Sequence, residues 1–148
     1  MTKEVYTLAD LQDWSVATAD AVPPFRLAVF GDPIAHSRSP RMHNAALEQC
    51  GIAARYTRLH IKPNELAGAL HLLPQAGFIG VNLTIPHKQA ALTLLDEMDE
   101  NARKIGAVNT IAIGDEKLKG FNTDGPGLVR AIRGEFGVDV RDLRVMVL

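Results

Sequence analysis

Lys88, two residues beyond Pro86, and Asp124, just after Asn122-Thr123, are the side chains of this sequence best suited to moving a proton. A lysine held near a carboxylate and partly desolvated can pass a proton to a carbonyl or alkoxide oxygen, while the aspartate orients it and holds a ligand hydroxyl. Burial lowers a lysine pKa and a nearby carboxylate raises it, so residue type alone does not set the working value. The plain alternative is a solvated ion pair worth ~0–1 kcal/mol. Ser37 and Ser39, in Ser37-Arg38-Ser39-Pro40, offer hydroxyls at a helix start, where free N–H groups and the macrodipole favour an anion such as a ligand carboxylate. Ser39 can cap the helix and still donate to a carboxylate, because a hydroxyl donates one bond and accepts two. It equally serves as a cap alone, with Ser37 a solvated loop residue. Asn82, Asn109 and Asn122 bring amides that donate and accept, which suits a ring bearing several hydroxyls, although asparagine is as much a turn residue. His36, His43 and His87 lack zinc-site spacing and Cys50 is the only cysteine, so no metal is expected and the histidines read as supporting groups.

An alternation of strands and helices must position these groups. Thr7-Leu8-Ala9-Asp10 resembles a capping box and opens a helix from Leu8 to about Ala19, ended by Val22-Pro23-Pro24. Arg26–Phe30 is an apolar run meeting Gly31, the signature of a buried strand. Ser39 as N-cap and Pro40 at the first helical position start a helix to Cys50, with Gly51 as its C-cap. Arg55–Ile61 reads as a strand, Asn64–Leu73 as a helix, Gly80–Thr84 as a strand, and Pro86 opens a helix with Lys88 in its first turn. Asp96–Lys104, capped by Gly106, is a further helix. Val108–Ile113 and Lys117–Phe121 flank a hairpin turn at Gly114-Asp115-Glu116. A helix over about Pro126–Phe136 and an apolar strand over Arg144–Leu148 complete the pattern. The expectation is an α/β fold, a mainly parallel sheet with one antiparallel strand and helices on both faces. In such a sheet ligands bind beyond the carboxyl ends of the strands, where Ser37, Ser39, Asn82, Thr84, Lys88, Asn109, Thr123 and Asp124 fall.

The 148 residues suit one ordinary core, with 47% apolar and 22% charged residues. A formal charge of -1 gives no electrostatic reason to expect nucleic acid or an acidic membrane as partner. No stretch approaches the ~20 apolar residues of a membrane span, and no signal-type apolar region follows the N-terminus, so the reducing cytoplasm is the expected location.

Four blocks in order carry a family resemblance: Gly31-Asp32-Pro33-Ile34-Ala35-His36-Ser37-Arg38-Ser39-Pro40 with His43-Asn44; Gly80-Val81-Asn82-Leu83-Thr84-Ile85-Pro86-His87-Lys88; Gly106-Ala107-Val108-Asn109-Thr110; and Gly120-Phe121-Asn122-Thr123-Asp124-Gly125-Pro126-Gly127. Together they resemble the substrate-binding domain of the shikimate dehydrogenase family, over roughly Arg26 to Leu148. The resemblance implies that Ser37 and Ser39 bind a substrate carboxylate, that Asn82, Thr84, Asn109 and Thr123 surround the ring, and that Lys88 with Asp124 forms the catalytic pair. It implies reversible reduction of 3-dehydroshikimate to shikimate by NADPH, with a preference for shikimate over quinate. The division it suggests is an N-terminal extension at 1–25, a substrate-binding domain at 26–124, and a linker helix with the first strand of a dinucleotide-binding domain at 125–148. The sequence holds no Gly-rich strand-to-helix turn of the dinucleotide type, so the expectation is a fragment of a longer enzyme, inactive alone. A stand-alone shikimate-binding or sensor module and a structural relic are the alternatives.

Overall fold

The structure is a computed structural model that describes residues 3–146. Among the described residues seven strands form one sheet in the order β1-β3-β2-β4-β6-β7-β5: β1 (Tyr6–Thr7), β2 (Phe25–Gly31), β3 (Arg55–His60), β4 (Gly80–Leu83), β5 (Glu97–Met98), β6 (Thr110–Gly114) and β7 (Lys117–Phe121). Only β6 runs against its neighbours, β4 and β7; the other pairings are parallel. The expected mainly parallel sheet with one reversed strand is therefore present.

The apolar run of β2 is buried on both faces, as its lack of polar alternation requires. Ala28 and Phe30 join the larger core, while Val29 between them packs with Ile34 and Tyr56 on the opposite face. Leu11 of α1 (Leu8–Gln12), Trp14 of α2 (Trp14–Ala17) and Leu66, Ala69 and Leu70 of α4 (Leu66–Leu72) cover the first face. Leu47 of α3 (Ser39–Gln49) packs on the second. Helices thus lie on both faces. Burying each large side chain contributes about 1.5–3 kcal/mol relative to exposure.

The chain steps from β2 through α3 to β3 on one side, then through α4 to β4 on the other. This reversal opens a crevice beyond the carboxyl ends of β2 and β4, where ligands bind in open α/β sheets. The two loops leaving these strands are tied together: Thr84 N–H donates to Phe30 O at 3.0 Å and Asp32 N–H to Ile85 O at 3.1 Å. Their approach requires glycine at position 31, where a Cβ would come within 2.7 Å of Thr84 Cγ2.

Several sequence expectations shift. The first helix is preceded by β1 and broken at Asp13 into α1 and α2, although the expected Thr7–Asp10 box forms, with the Asp10 carboxylate accepting from Thr7 N–H at 2.9 Å. Ser39 is the first helical residue of α3 and Arg38 the N-cap, so the cap assigned to Ser39 is corrected: the Ser37 hydroxyl accepts Ser39 N–H, at 3.3 Å. The helix expected from Asp96 begins only at α6 (Glu100–Ile105), because Glu97–Met98 finds an open edge on β7. The Val108–Ile113 strand starts at Thr110, leaving Asn109 in the loop before β6. The 3-10 turn Pro63–Glu65 precedes α4, and the helix after Pro86 is a short one, α5 (His87–Ala90). The last helix, α7, spans Asp124–Phe136, starting two residues earlier than expected. Of the expected strand at Arg144–Leu148, residues 144–146 have no regular structure and 147–148 lie outside the described residues.

Candidate active site

One hydrogen-bonded chain of side chains crosses the sheet from β3 to α7. Tyr56 Oη donates to Asn82 Oδ1 at 2.7 Å, and Asn82 Nδ2 donates to Thr110 Oγ1 at 3.0 Å and to Asn109 O at 3.3 Å. A backbone carbonyl only accepts, which fixes the orientation of the Asn82 amide. Thr110 Oγ1 donates in turn to Asn109 Oδ1 at 3.1 Å. Asn109 Nδ2 then donates to Thr123 Oγ1 and Asp124 Oδ1, each at 2.8 Å. Lys88 Nζ closes the chain on the other carboxylate oxygen, Asp124 Oδ2, at 2.6 Å. From Tyr56 through Asn82, Thr110 and Asn109, and from Lys88 on the other side, the links donate toward Asp124, so each bond polarises the next.

Local structure explains the placement. Pro86, lacking an N–H, precedes the short α5, and the Lys88 carbonyl accepts Val108 N–H at 2.8 Å, which fixes the lysine backbone to the loop before Asn109. Thr123 N–H donates to Asn109 Oδ1 at 2.9 Å. Asn109, 8% exposed, thereby has both amide hydrogens and both acceptor directions of its oxygen in use. Buried Asn122 accepts from Asp124 N–H and Gly125 N–H, both at 3.1 Å, satisfying free donors at the start of α7. Its own Nδ2 donates to Ala107 O at 2.9 Å, so it is a structural clamp between loops.

The Lys88 side chain is 33% exposed and that of Asp124 54%, so the pair opens to solvent and its Coulomb energy is modest. Its value is directional. Asp124 is held at both oxygens, and the lysine keeps hydrogens to offer a third group. A ligand oxygen near Nζ would meet a proton donor whose position is already set.

The fold thus brings Asn82, Asn109, Thr123, Asp124 and Lys88 together. Ser37, Ser39 and Thr84 lie outside this chain of bonds, Ser37 and Thr84 in the loops that border the crevice at β2 and β4 and Ser39 at the first position of α3. Sequence reasoning did not single out Tyr56, Thr110 or Arg58. Tyr56 is buried, its phenol pushed well above its ordinary pKa by burial, so it remains an O–H donor. His43 stacks on the Tyr56 ring with centroids 4.3 Å apart, and Asn44 clamps the Tyr56 backbone through Tyr56 N–H to Oδ1 at 2.7 Å. Neither motif position betrays this, because the partner is in a strand without a signature. His87 is fully buried with Nε2 2.7 Å from Ile61 O, hence a donor, and its Nδ1 has no partner among the described residues. Among the described residues no cluster of three or more His, Cys, Asp or Glu could hold a metal, and no helix is long and apolar enough to cross a membrane.

Comparison with known proteins bears on this arrangement. The family model of the shikimate dehydrogenase substrate binding domain matches residues 29–111. The chain is 49% identical over 121 residues to the shikimate dehydrogenase (NADP(+)) of Geobacillus sp. (strain WCH70), covering 82% of this chain and 44% of that protein. The solved structure of shikimate 5-dehydrogenase from Thermus thermophilus, in complex with NADP(H) and shikimate, is 45% identical with a TM-score of 0.71, over 78% of this chain and 44% of that one. Ligand-free 5-ketofructose reductase of Gluconobacter sp. strain CHM43 is 36% identical with a TM-score of 0.72, over 76% of this chain and 40% of that one. The chain spans less than half the length of these proteins.

Proposed function

We propose, since this chain belongs to the shikimate dehydrogenase family, that it forms the substrate-binding and proton-transferring half of an enzyme interconverting 3-dehydroshikimate and shikimate. The observation that carries the reading is the Lys88–Asp124–Asn109 constellation, with a lysine ammonium 2.6 Å from a carboxylate that is itself held at its second oxygen. In this reading Lys88 protonates the alkoxide that develops when the ring carbonyl is reduced, and Asp124 holds the same oxygen in line. Asn82, Thr84 and Thr123 meet the ring hydroxyls, Asn109 holds Thr123 and Asp124 beside them, and Ser37 and Ser39 take the carboxylate.

The cofactor named for the relatives is NADP(+). The turn after β2 does not fit its pyrophosphate. The glycine that ends β2 is filled against Thr84 Cγ2 and Ile34 Cδ1, with 2.7 and 2.8 Å to an added Cβ, so no open backbone faces a pyrophosphate there. We therefore assign the cofactor contacts to none of these residues and route no step through it.

The 5-ketofructose reductase shows the same fold associated with another polyhydroxylated ketone, but one without a carboxylate. Thermal denaturation of this chain with each compound separates the two substrate classes. A ligand that binds only the folded state stabilises it by RT ln(1 + [L]/Kd), about 2.7 kcal/mol at a hundredfold excess over Kd. The expected outcome is a rise in Tm with shikimate and none with 5-ketofructose; the reverse order would end the carboxylate assignment.

A further inference from the structure

The serine loop is held by a residue that the chemistry above does not use. Arg58, half-buried on β3, donates Nε and Nη2 to the Ser37 carbonyl at 2.8 and 2.5 Å, and Nη1 to the Glu4 carbonyl at 3.4 Å. A planar guanidinium forked on one oxygen fixes the direction of that peptide as well as its distance. The Ser37 hydroxyl in turn accepts Ser39 N–H at 3.3 Å, so the constraint passes to both serines. Among the described residues these bonds of Arg58 all end on neutral carbonyls, and no carboxylate ion-pairs with it. A half-buried cation without a counterion costs desolvation energy unless an anion supplies what is missing.

We propose that Arg58 is a positioning residue for the carboxylate end of the site: its fork sets the Ser37–Ser39 loop, and its unneutralised charge biases that end toward an anion. The inference rests on the reading of Ser37 and Ser39 as carboxylate binders. It also gives the residues before β1 a part in the site, because the Glu4 carbonyl holds the third arm of the guanidinium.

The test is an NMR titration of the isotope-labelled chain with shikimate, in the parent, Ser39→Ala, Arg58→Met, Arg58→Lys, and Arg58→Met combined with either Ser39→Ala or Lys88→Ala. Arg58→Met is expected to raise Kd about tenfold, as for a lost charge-assisted contact. Arg58→Lys keeps the charge but not the fork and should raise it about threefold. Combined with Ser39→Ala, Arg58→Met should add little, whereas combined with Lys88→Ala its effect should multiply, because only Ser39 is tied to the Ser37 peptide that Arg58 holds. The spectra report folding directly, and Arg58→Lys carries the test if the methionine variant does not fold. Independent, fully multiplicative effects of Arg58→Met and Ser39→Ala overturn the proposal, as does an unchanged Kd in Arg58→Met while Ser39→Ala weakens binding. If Ser39→Ala binds as well as the parent, it is the carboxylate reading that fails, and this inference falls with it.

Discussion

At the scale of single residues, the site is a set of groups that hold one another before they hold anything else. Asn109 has no bonding capacity left, and Asn82 keeps only acceptor capacity after bonding Tyr56, Thr110 and the Asn109 carbonyl. Tyr56→Phe removes the donor that occupies the oxygen of half-buried Asn82, and the lost hydrogen bond costs about 0.5–1.5 kcal/mol. We expect a lower Tm together with weaker shikimate binding; unaltered binding would mean that Tyr56 supports the core and not the amide. Lys88→Met in the complete enzyme should lower kcat by about 10²-fold or more with a small change in KM, since a positioned general acid acts on the transition state. A loss confined to KM would reduce Lys88 to a binding group. Lys88 and Asp124 were legible from residue type and motif. Tyr56 and Thr110 were not, because strand residues that meet across a sheet carry no mark of it in their spacing.

At the scale of elements, turn and cap chemistry proved more legible than element length. Gly51, at φ +64, ends α3 with Gly51 N–H on Glu48 O at 3.0 Å and Ile52 N–H on Leu47 O at 2.9 Å, the paired bonds of a left-handed helix stop. A Cβ there meets nothing within 4 Å, so Gly51→Ala is expected to cost only the left-handed strain, about 1–2 kcal/mol, read as a lower Tm with unchanged ligand affinity. Gly51→Asn should recover part of it; equal stability of alanine and glycine would refute the strain argument. Asp99 caps α6 by accepting Ala102 N–H at 2.9 Å, and Asp99→Ala should cost about 1 kcal/mol by urea denaturation. The hairpin was foreseen, but its turn is Asp115-Glu116, both at positive φ, while Gly114 stays in β6 opposite Lys117. The two-residue strands β1 and β5 were missed because each exists only through its partner, β3 or β7.

At the scale of the whole molecule, burial couples folding to protons. The imidazoles of His87 and His43 are held below their ordinary 6.5 by burial, opposed at His87 by the Ile61 carbonyl and by Asp32. The unfolded chain therefore binds protons that the folded chain refuses once the pH drops below about 6.5, so stability is full above that value and declines as pH falls through it. Tm should fall between about pH 7.5 and about pH 5.5, and His87→Gln, which can still donate to Ile61 O, should show a shallower decline. Parallel curves for the two proteins would remove His87 from the account. The same core explains why Tyr6, Leu11 and Trp14 are buried beside Phe25 and Phe78, ahead of the segment where the family blocks begin. Apolar period, proline and glycine placement and four ordered motifs were enough to determine the α/β class, the reversed strand and five of the residues now found bonded together, since these depend on local backbone preference and residue chemistry. Which side chain donates to which, and that Tyr56 and Arg58 stand behind the motif residues, was decided only by the fold, because hydrogen-bond direction and loop support arise between strands distant in sequence.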